Sequence, residues 1–151
     1  MKDETRQNIF ETLKVDEGVV EEIYLDHLGY PTYGVGHLIT ENDEEHGMPV
    51  GTPIAPERIK AAFECDLNTA ISECEKLYGV EMFESWPEEV KEIIVNMMFN
   101  MGRTRLGKFK NFRVALENGD WKQAAVEGRD SLWHRQVTNR AERLMSRLEN
   151  V

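Results

Sequence analysis

From Pro56 to Tyr78, apolar residues recur at helical spacing without a break. Ile59, Phe63, Leu67, Ala70, Ile71, Cys74 and Leu77 form one stripe. Proline suits the first turn of a helix and glycine the position just past its end, so Pro56 and Gly79 bracket the segment. The period predicts one amphipathic helix of about 23 residues and about 35 Å. A chain of 151 residues with 40% apolar content buries an adequate core as one compact domain, or as two small lobes sharing a helix. A helix of that length is long enough to join two lobes. Cys65 and Cys74 both fall inside it. Nine residues apart, they would face opposite sides with about 13 Å of rise between them. Disulfide geometry needs Cα atoms within about 7 Å, so they cannot bridge within the helix.

On the amino-terminal side, a first helix is expected from about Thr5 to Glu17, ended by Gly18. Ile9, Phe10 and Leu13 are its apolar positions. Four residues further along the stripe stands Glu17, a carboxylate where the period calls for a hydrophobe. A β-rich stretch follows, with Glu22–Asp26 as a strand, His27–Gly29 as a turn and Tyr30–His37 as the returning strand. Pro31 confines that strand to an edge or to its first residues. On a period of two, Thr32, Gly34, Gly36 and Leu38 share a face that is poor at making core and suits close approach by a bulky ligand. Residues 41–55, acidic and punctuated by Gly47, Pro49, Gly51 and Pro53, read as a loop.

Beyond Gly79 the periodicity is helical throughout. Ser85-Trp86-Pro87-Glu88 resembles a capping box, opening a helix that carries Val90, Ile93, Ile94, Met97, Met98 and Met101 to Gly102. A segment with Phe109, Phe112 and Leu116 ends near Gly119. Asp120 caps a further helix and Asn139-Arg140-Ala141-Glu142 opens the last. The expected fold class is therefore α+β. It comprises a single domain over 1–151, with a β-containing lobe at about 9–55, a linking helix at 56–79 and a helical lobe at 80–151.

Charge narrows the partners. With 18 basic and 28 acidic residues the net charge is −10, which argues against nucleic acid and against docking on anionic lipid through a basic patch. No apolar run approaches the roughly 18 residues needed to span a bilayer, so no stable membrane insertion is expected. The amino terminus has no apolar signal core after it, so the expected location is the cytoplasm of the cell that makes it. No Cys or His grouping has zinc-ligand spacing, and no metal or other cofactor is expected.

One constellation carries chemistry. Asp16-Glu17-Gly18, Tyr24-Leu25-Asp26 and Gly29-Tyr30-Pro31-Thr32-Tyr33-Gly34-Val35-Gly36-His37-Leu38 together resemble the amino-terminal lobe of phage-type lysozymes, in which an E-x8-D-x5-T arrangement builds the active site. The resemblance continues through Asn96–Gly102, Trp121 with Ala124-Ala125, Trp133 and Asn139-Arg140-Ala141, covering nearly the whole chain after residue 8. It implies a lysozyme-like fold and a monomeric, cofactor-free muramidase acting on bacterial peptidoglycan. A separate membrane pore, a holin, would release it from the host cytoplasm to the wall, causing host lysis.

The chemistry fits those residue types independently. Glycoside hydrolysis needs a proton donor for the leaving oxygen and a second carboxylate to activate water or attack carbon. Apolar surroundings and a helix C-terminus both disfavour a negative charge, which suits Glu17 to the donor role. Asp26 stands at a strand end beside a turn, open to solvent and backbone donors. Read alone, Glu17 is equally a helix-terminal surface acid and Asp26 a turn-initiating aspartate. The resemblance makes Thr32 the residue that holds the catalytic water against Asp26. It places His37 near the cleft, where a packed histidine at a strand end is an equal reading. It pairs Arg140 with Glu17 and Arg143 with Asp16. It offers Leu38, Phe99, Phe112 and Glu127 as substrate contacts. Relatives tend to carry small or amide residues at the last two positions, and Leu28 and Leu132 replace residues that are often charged. A lytic transglycosylase, which uses one acid and no water, fits less well because Asp26 and Thr32 are both present. A catalytically dead wall-binding module would have lost a carboxylate.

Overall fold

A computed structural model describes all residues, Met1–Val151. Helix α1 (Asp3–Glu17) opens with Asp3 and Glu4 and carries Lys14 in its last turn, charges that oppose its macrodipole favourably. Ile9 and Leu13, one turn apart, are buried, and Gly18 ends the helix at φ +79°. A three-stranded antiparallel sheet follows, with β1 (Val20–Leu25), β2 (Pro31–Gly34) and β3 (His37–Leu38) in that spatial order. Pro31 opens the central strand, the position where its missing N–H does least harm. Val20 pairs with Gly34, Tyr24 with Thr32 and Leu25 with Pro31, with an irregularity between Val20 and Tyr24. The outer edge of β1 is covered by its own chain. Ile23 N–H donates to Thr52 (3.0 Å), Gly51 N–H to Ile23 (2.8 Å) and Ile54 N–H to Glu21 (2.8 Å).

The returning strand expected over Tyr30–His37 does not form as one piece. It turns after Gly34 and comes back as β3, pairing Thr32 with Leu38 and Tyr33 with His37. Gly34 and Gly36 sit at φ +64° and +66°, which glycine adopts without the penalty other residues carry. The shared Thr32-Gly34-Gly36-Leu38 face is therefore corrected: the two glycines serve a turn. Thr32 and Leu38 still share a face, as cross-strand partners.

Helix α2 (Pro56–Tyr78) has the bounds its period predicts, with Gly79 after it at φ +92°. Ile59, Phe63, Leu67, Ala70 and Cys74 are buried, and both cysteines are free thiols. The chain divides into two compact units, Phe10–Thr69 and Met1–Ile9 with Ala70–Val151, so α1 and α2 each contribute to both.

The second unit contains α3 (Val80–Ser85), α4 (Glu88–Leu106), α5 (Lys110–Glu117), α6 (Trp121–Arg129), α7 (Leu132–Gln136) and α8 (Thr138–Glu149). Two of these, α3 and α7, have no counterpart in the sequence reading. The Ser85 capping box does not form either. The Ser85 hydroxyl donates back to the Met82 carbonyl at 2.6 Å, and Pro87 stands at the start of α4 without a side-chain cap. The last helix begins at Thr138, one residue before Asn139, again uncapped. Asp120 does cap α6, accepting from the Gln123 N–H at 3.1 Å. Gly102 leaves helical geometry (φ +79°, ψ 167°) and kinks α4 where its apolar run ends. The core of this unit is built on Val90, Ile93, Ile94, Met97, Trp133, Leu144 and Met145. Trp133 Nε1 donates to Asn100 at 2.7 Å. A Cβ at Gly128 would collide with the Met145 thioether, so a larger residue there would displace that side chain between α6 and α8.

Candidate active site

The turn between β1 and β2 places two of the expected residues through one intervening backbone. The Asp26 N–H donates to the Tyr30 carbonyl at 2.9 Å and the Gly29 N–H to the Asp26 carbonyl at 2.9 Å. Asp26 Oδ1 accepts from the Leu28 and Tyr30 N–H groups, each at 2.9 Å. The Thr32 hydroxyl donates to the same Tyr30 carbonyl at 2.9 Å. Asp26 is thus a turn-forming aspartate in addition to any chemical role, and the turn uses only Oδ1. Oδ2 points no bond into the protein. With its proton committed to Tyr30, the Thr32 oxygen presents lone pairs and acts as an acceptor.

Glu17 is the last residue of α1 and half-buried. A Cβ built on Gly36 would lie 3.7 Å from Glu17 Oε2 and 3.9 Å from its Cβ. The second glycine of the β2–β3 turn thus lies beside the Glu17 side chain. The helix end and the hairpin are fitted together at the carboxylate.

Tyr24 belongs to this group, and sequence reasoning missed it. It lies directly across from Thr32 in the sheet. Burial raises its phenol pKa, and the charges of Asp26 and Glu17 raise it further, so its hydroxyl lies within the field of both carboxylates. The signal was present as spacing: Tyr24 stands two residues before Asp26, on the same side of a strand.

His37 is a packed histidine at the start of β3, held on both sides. Its Nδ1 lies 2.8 Å from Asp66 Oδ2 and its Nε2 3.1 Å from Asp43 Oδ2. The hydrogen bond to Asp66, with the charges of both carboxylates, raises its pKa above the ordinary imidazole value despite burial. Asp43 also accepts from the Thr40 N–H at 2.8 Å. Next to it Glu45, 4% exposed, takes a two-pronged bond from Arg58 (2.8 and 3.0 Å) and the Tyr33 hydroxyl at 3.1 Å. Arg58 holds the Glu45 carboxyl below the usual range, while burial and the Glu45 charge push the Tyr33 phenol up. The acidic run Glu41–Glu45 is therefore largely structural: Asp43, Glu44 and Glu45 tie the loop to α2 or the hairpin, Glu44 through an exposed ion pair with Arg58 at 3.3 Å. No group of three or more His, Cys, Asp or Glu side chains is arranged to hold a metal ion.

Of the expected substrate contacts, Leu38 lies in the same unit as Glu17, Asp26 and Thr32 and is 48% exposed. Phe99, Phe112, Glu127 and Arg140 belong to the other unit. Phe99 is half-buried. Phe112 is 1% exposed, its ring edge-on to Phe109 at 6.0 Å between centroids. Core packing accounts for Phe112, and any ligand touches only its margin. Phe112 and Glu127, with Lys108, Phe109, Lys110, Asn111, Asp130 and Ser131, line one open pocket of about 300 Å³. Glu127 also accepts from Gln123 Nε2 at 3.0 Å. Arg140 reaches the Asn96 side chain (3.0 Å) and backbone carbonyl (3.4 Å).

Comparison with known proteins sets this geometry in a family. The model of the family described as phage lysozyme matches residues 14–150, a span that includes every site residue named above. The chain belongs to the phage lysozyme family. It is 30% identical over 154 residues to a probable T4-type lysozyme 2 of Dictyostelium discoideum, covering 91% of each chain. A probable T4-type lysozyme 1 of the same organism is 30% identical over 159 residues, covering 94% of each. The pre-baseplate central spike protein Gp5 of Enterobacteria phage T4 is 31% identical over 158 residues, which are 94% of this chain and 28% of that protein. Membership makes the chain a peptidoglycan hydrolase of the glycosidase type, and the helical fold with its small antiparallel sheet is the lysozyme-like architecture the sequence predicts. No helix is long and apolar enough to cross a membrane.

Proposed function

We propose that this chain is a muramidase that hydrolyses the β-1,4 bond between N-acetylmuramic acid and N-acetylglucosamine, with inversion at the anomeric carbon. The observation that carries the reading is the Tyr30 backbone. It anchors Asp26 and Thr32 together, leaving Asp26 Oδ2 and the Thr32 oxygen as two neighbouring acceptors for one water. Glu17 gives its proton to the leaving glycosidic oxygen as that C–O bond breaks. Water forms the new bond to the anomeric carbon, and Asp26 takes the proton it loses. Thr32 sets the angle of approach. Leu38, exposed in the same unit as Glu17, Asp26 and Thr32, contacts the glycan, and His37 braces the loop beside them. Phe99, Phe112 and Glu127 as glycan contacts and Arg140 as a supporting residue are roles carried over from the family resemblance. The enzyme acts as a monomer and needs no cofactor. It serves as an endolysin, held in the host cytoplasm until a holin lets it reach the wall, where cleavage lyses the cell.

The bond is tested by digesting purified sacculi, reducing the new ends with borohydride and identifying the alditol. The expected product is the muramic acid alditol. Glucosaminitol at the new ends would assign a glucosaminidase.

A further inference from the structure

We propose that Tyr24 is a positioning residue for the hydrolytic water: its phenolic O–H donates to the water that Asp26 and Thr32 hold as acceptors. The inference rests on the roles given above to Glu17, Asp26 and Thr32, and adds a member they lack.

Placement comes from the sheet. Tyr24 and Thr32 are paired across β1 and β2, and directly opposed residues project to one side. Asp26 follows Tyr24 by two residues, and its N–H still bonds Tyr30 O across the ladder, so the period of two brings it to that side as well. The irregularity between Val20 and Tyr24 precedes this group, at the point where a bulge re-aims a side chain.

The donor and acceptor count then points to a role. The Thr32 proton is committed to the Tyr30 carbonyl, and Asp26 Oδ1 is engaged by two amides. What both offer a water is acceptor capacity, which takes its two hydrogens. One of the two lone pairs left on the water must attack carbon. The other needs a donor, or the water rocks about its two hydrogen bonds. Tyr24 is half-buried, and its hydroxyl has no hydrogen-bond partner in the protein and is reached by solvent. A phenol is protonated at neutral pH, as a donor must be, and burial with the charges of Asp26 and Glu17 raises its pKa further. A neutral donor also adds no charge that would hold the Glu17 proton in place or weaken Asp26 as a base.

The test is Tyr24→Phe, which keeps the ring and removes the hydroxyl, assayed on purified glycan strands beside Glu17→Gln and Asp26→Asn. The expected result is a kcat lowered about tenfold, the scale of one neutral hydrogen bond, with KM within about twofold and an unchanged melting temperature. Difluorotyrosine at position 24 keeps the shape but ionises at lower pH. Its kcat is expected to fall along an alkaline limb displaced to lower pH, which a purely structural tyrosine would not produce. A kcat equal to wild type, or a loss expressed only in KM or in melting temperature, overturns the proposal. If Glu17→Gln and Asp26→Asn are inactive while Tyr24→Phe is not impaired, the Tyr24 proposal alone fails. If those two variants stay active, the underlying site assignment fails with it.

Discussion

Two neighbouring regions hold carboxylates in opposite ways. In the turn from Asp26 to Thr32, every anchor is backbone: the Leu28 and Tyr30 amides hold Asp26, and the Tyr30 carbonyl holds Thr32. In the segment from His37 to Arg58, the buried carboxylates are engaged by side chains. Glu45 is closed by Arg58 and Tyr33, and His37 is gripped by Asp43 and Asp66. The first arrangement fixes a carboxylate through residues within four positions of it and leaves an oxygen over. The second spends Asp43, Glu45 and Asp66 on tying the loop to α2 and the hairpin. Local backbone anchoring is what permits an acid to be both rigid and available, whereas ion pairing makes it rigid by occupying it. The two regions should therefore fail differently, the turn in rate and the network in stability.

The largest effect belongs to the chemistry. Glu17→Gln is expected to leave the fold intact and lower turnover by about 10²–10⁴, the usual contribution of a positioned acid. Turbidity loss on permeabilised cells with parallel thermal melts checks both halves. Retention of more than about a tenth of wild-type turnover would remove Glu17 from the donor role.

The network supplies the converse. Arg58→Met leaves Glu45 buried and unpaired, which should cost about 3 kcal/mol in denaturant unfolding, the low end for a broken buried pair because Arg58 is partly exposed. Replacing Arg58 and Glu45 together by apolar residues should recover much of that loss. Rate per folded molecule should change little. A variant that is stable but slow would blur the distinction between the regions.

His37 sharpens it with pH. Its folded pKa is raised, chiefly by the Asp66 hydrogen bond, so its stabilising contribution is fully present below its unfolded value of about 6.5. It is lost as pH rises through the folded value. The stability gap between wild type and His37→Gln should be about 1.5 kcal/mol in mildly acidic buffer, the scale of a charged hydrogen bond, and shrink above neutrality. A gap constant from pH 5.5 to 9, measured by urea unfolding, would mean the imidazolium contributes nothing.

The smallest effect is long-range. With a net charge of −10, encounter with an anionic wall should be slowed at low ionic strength and relieved by salt. Asp43 and Glu45 are structural and Glu44 lies 3.3 Å from the Arg58 guanidinium, so the fair variant is Glu41→Gln alone, and it should raise low-salt wall lysis by less than about twofold. If lysis instead falls steadily with added salt, the basic run Arg103, Arg105, Lys108 and Lys110 governs encounter.

What the sequence made legible follows range of interaction. The bounds of α2 were readable because Pro56, Gly79 and an unbroken stripe all act locally. Glu17, Asp26 and Thr32 were singled out through motif order, and of these Asp26 and Thr32 meet at the Tyr30 backbone. The Gly34 and Gly36 turn was not, because glycine alternation in a strand and positive φ in a tight turn leave the same pattern. Ser85 met the pattern of a capping box, yet α3 ends there and claims its hydroxyl. Helices α3 and α7, of six and five residues, are too short for a hydrophobic period to show. The partners of His37 and Glu45 lie 29 and 13 residues away, beyond any local rule.

The central claim is that water, held at Asp26 and Thr32, completes the cleavage. Mass spectrometry of the glycan fragments released from purified sacculi tests it most directly. The account predicts fragments that have gained one water at every cut bond, with none released by Asp26→Asn above the level of Glu17→Gln. Fragments ending in 1,6-anhydro sugars, or a full digest by Asp26→Asn, would contradict it, because both place the reaction on Glu17 without the water.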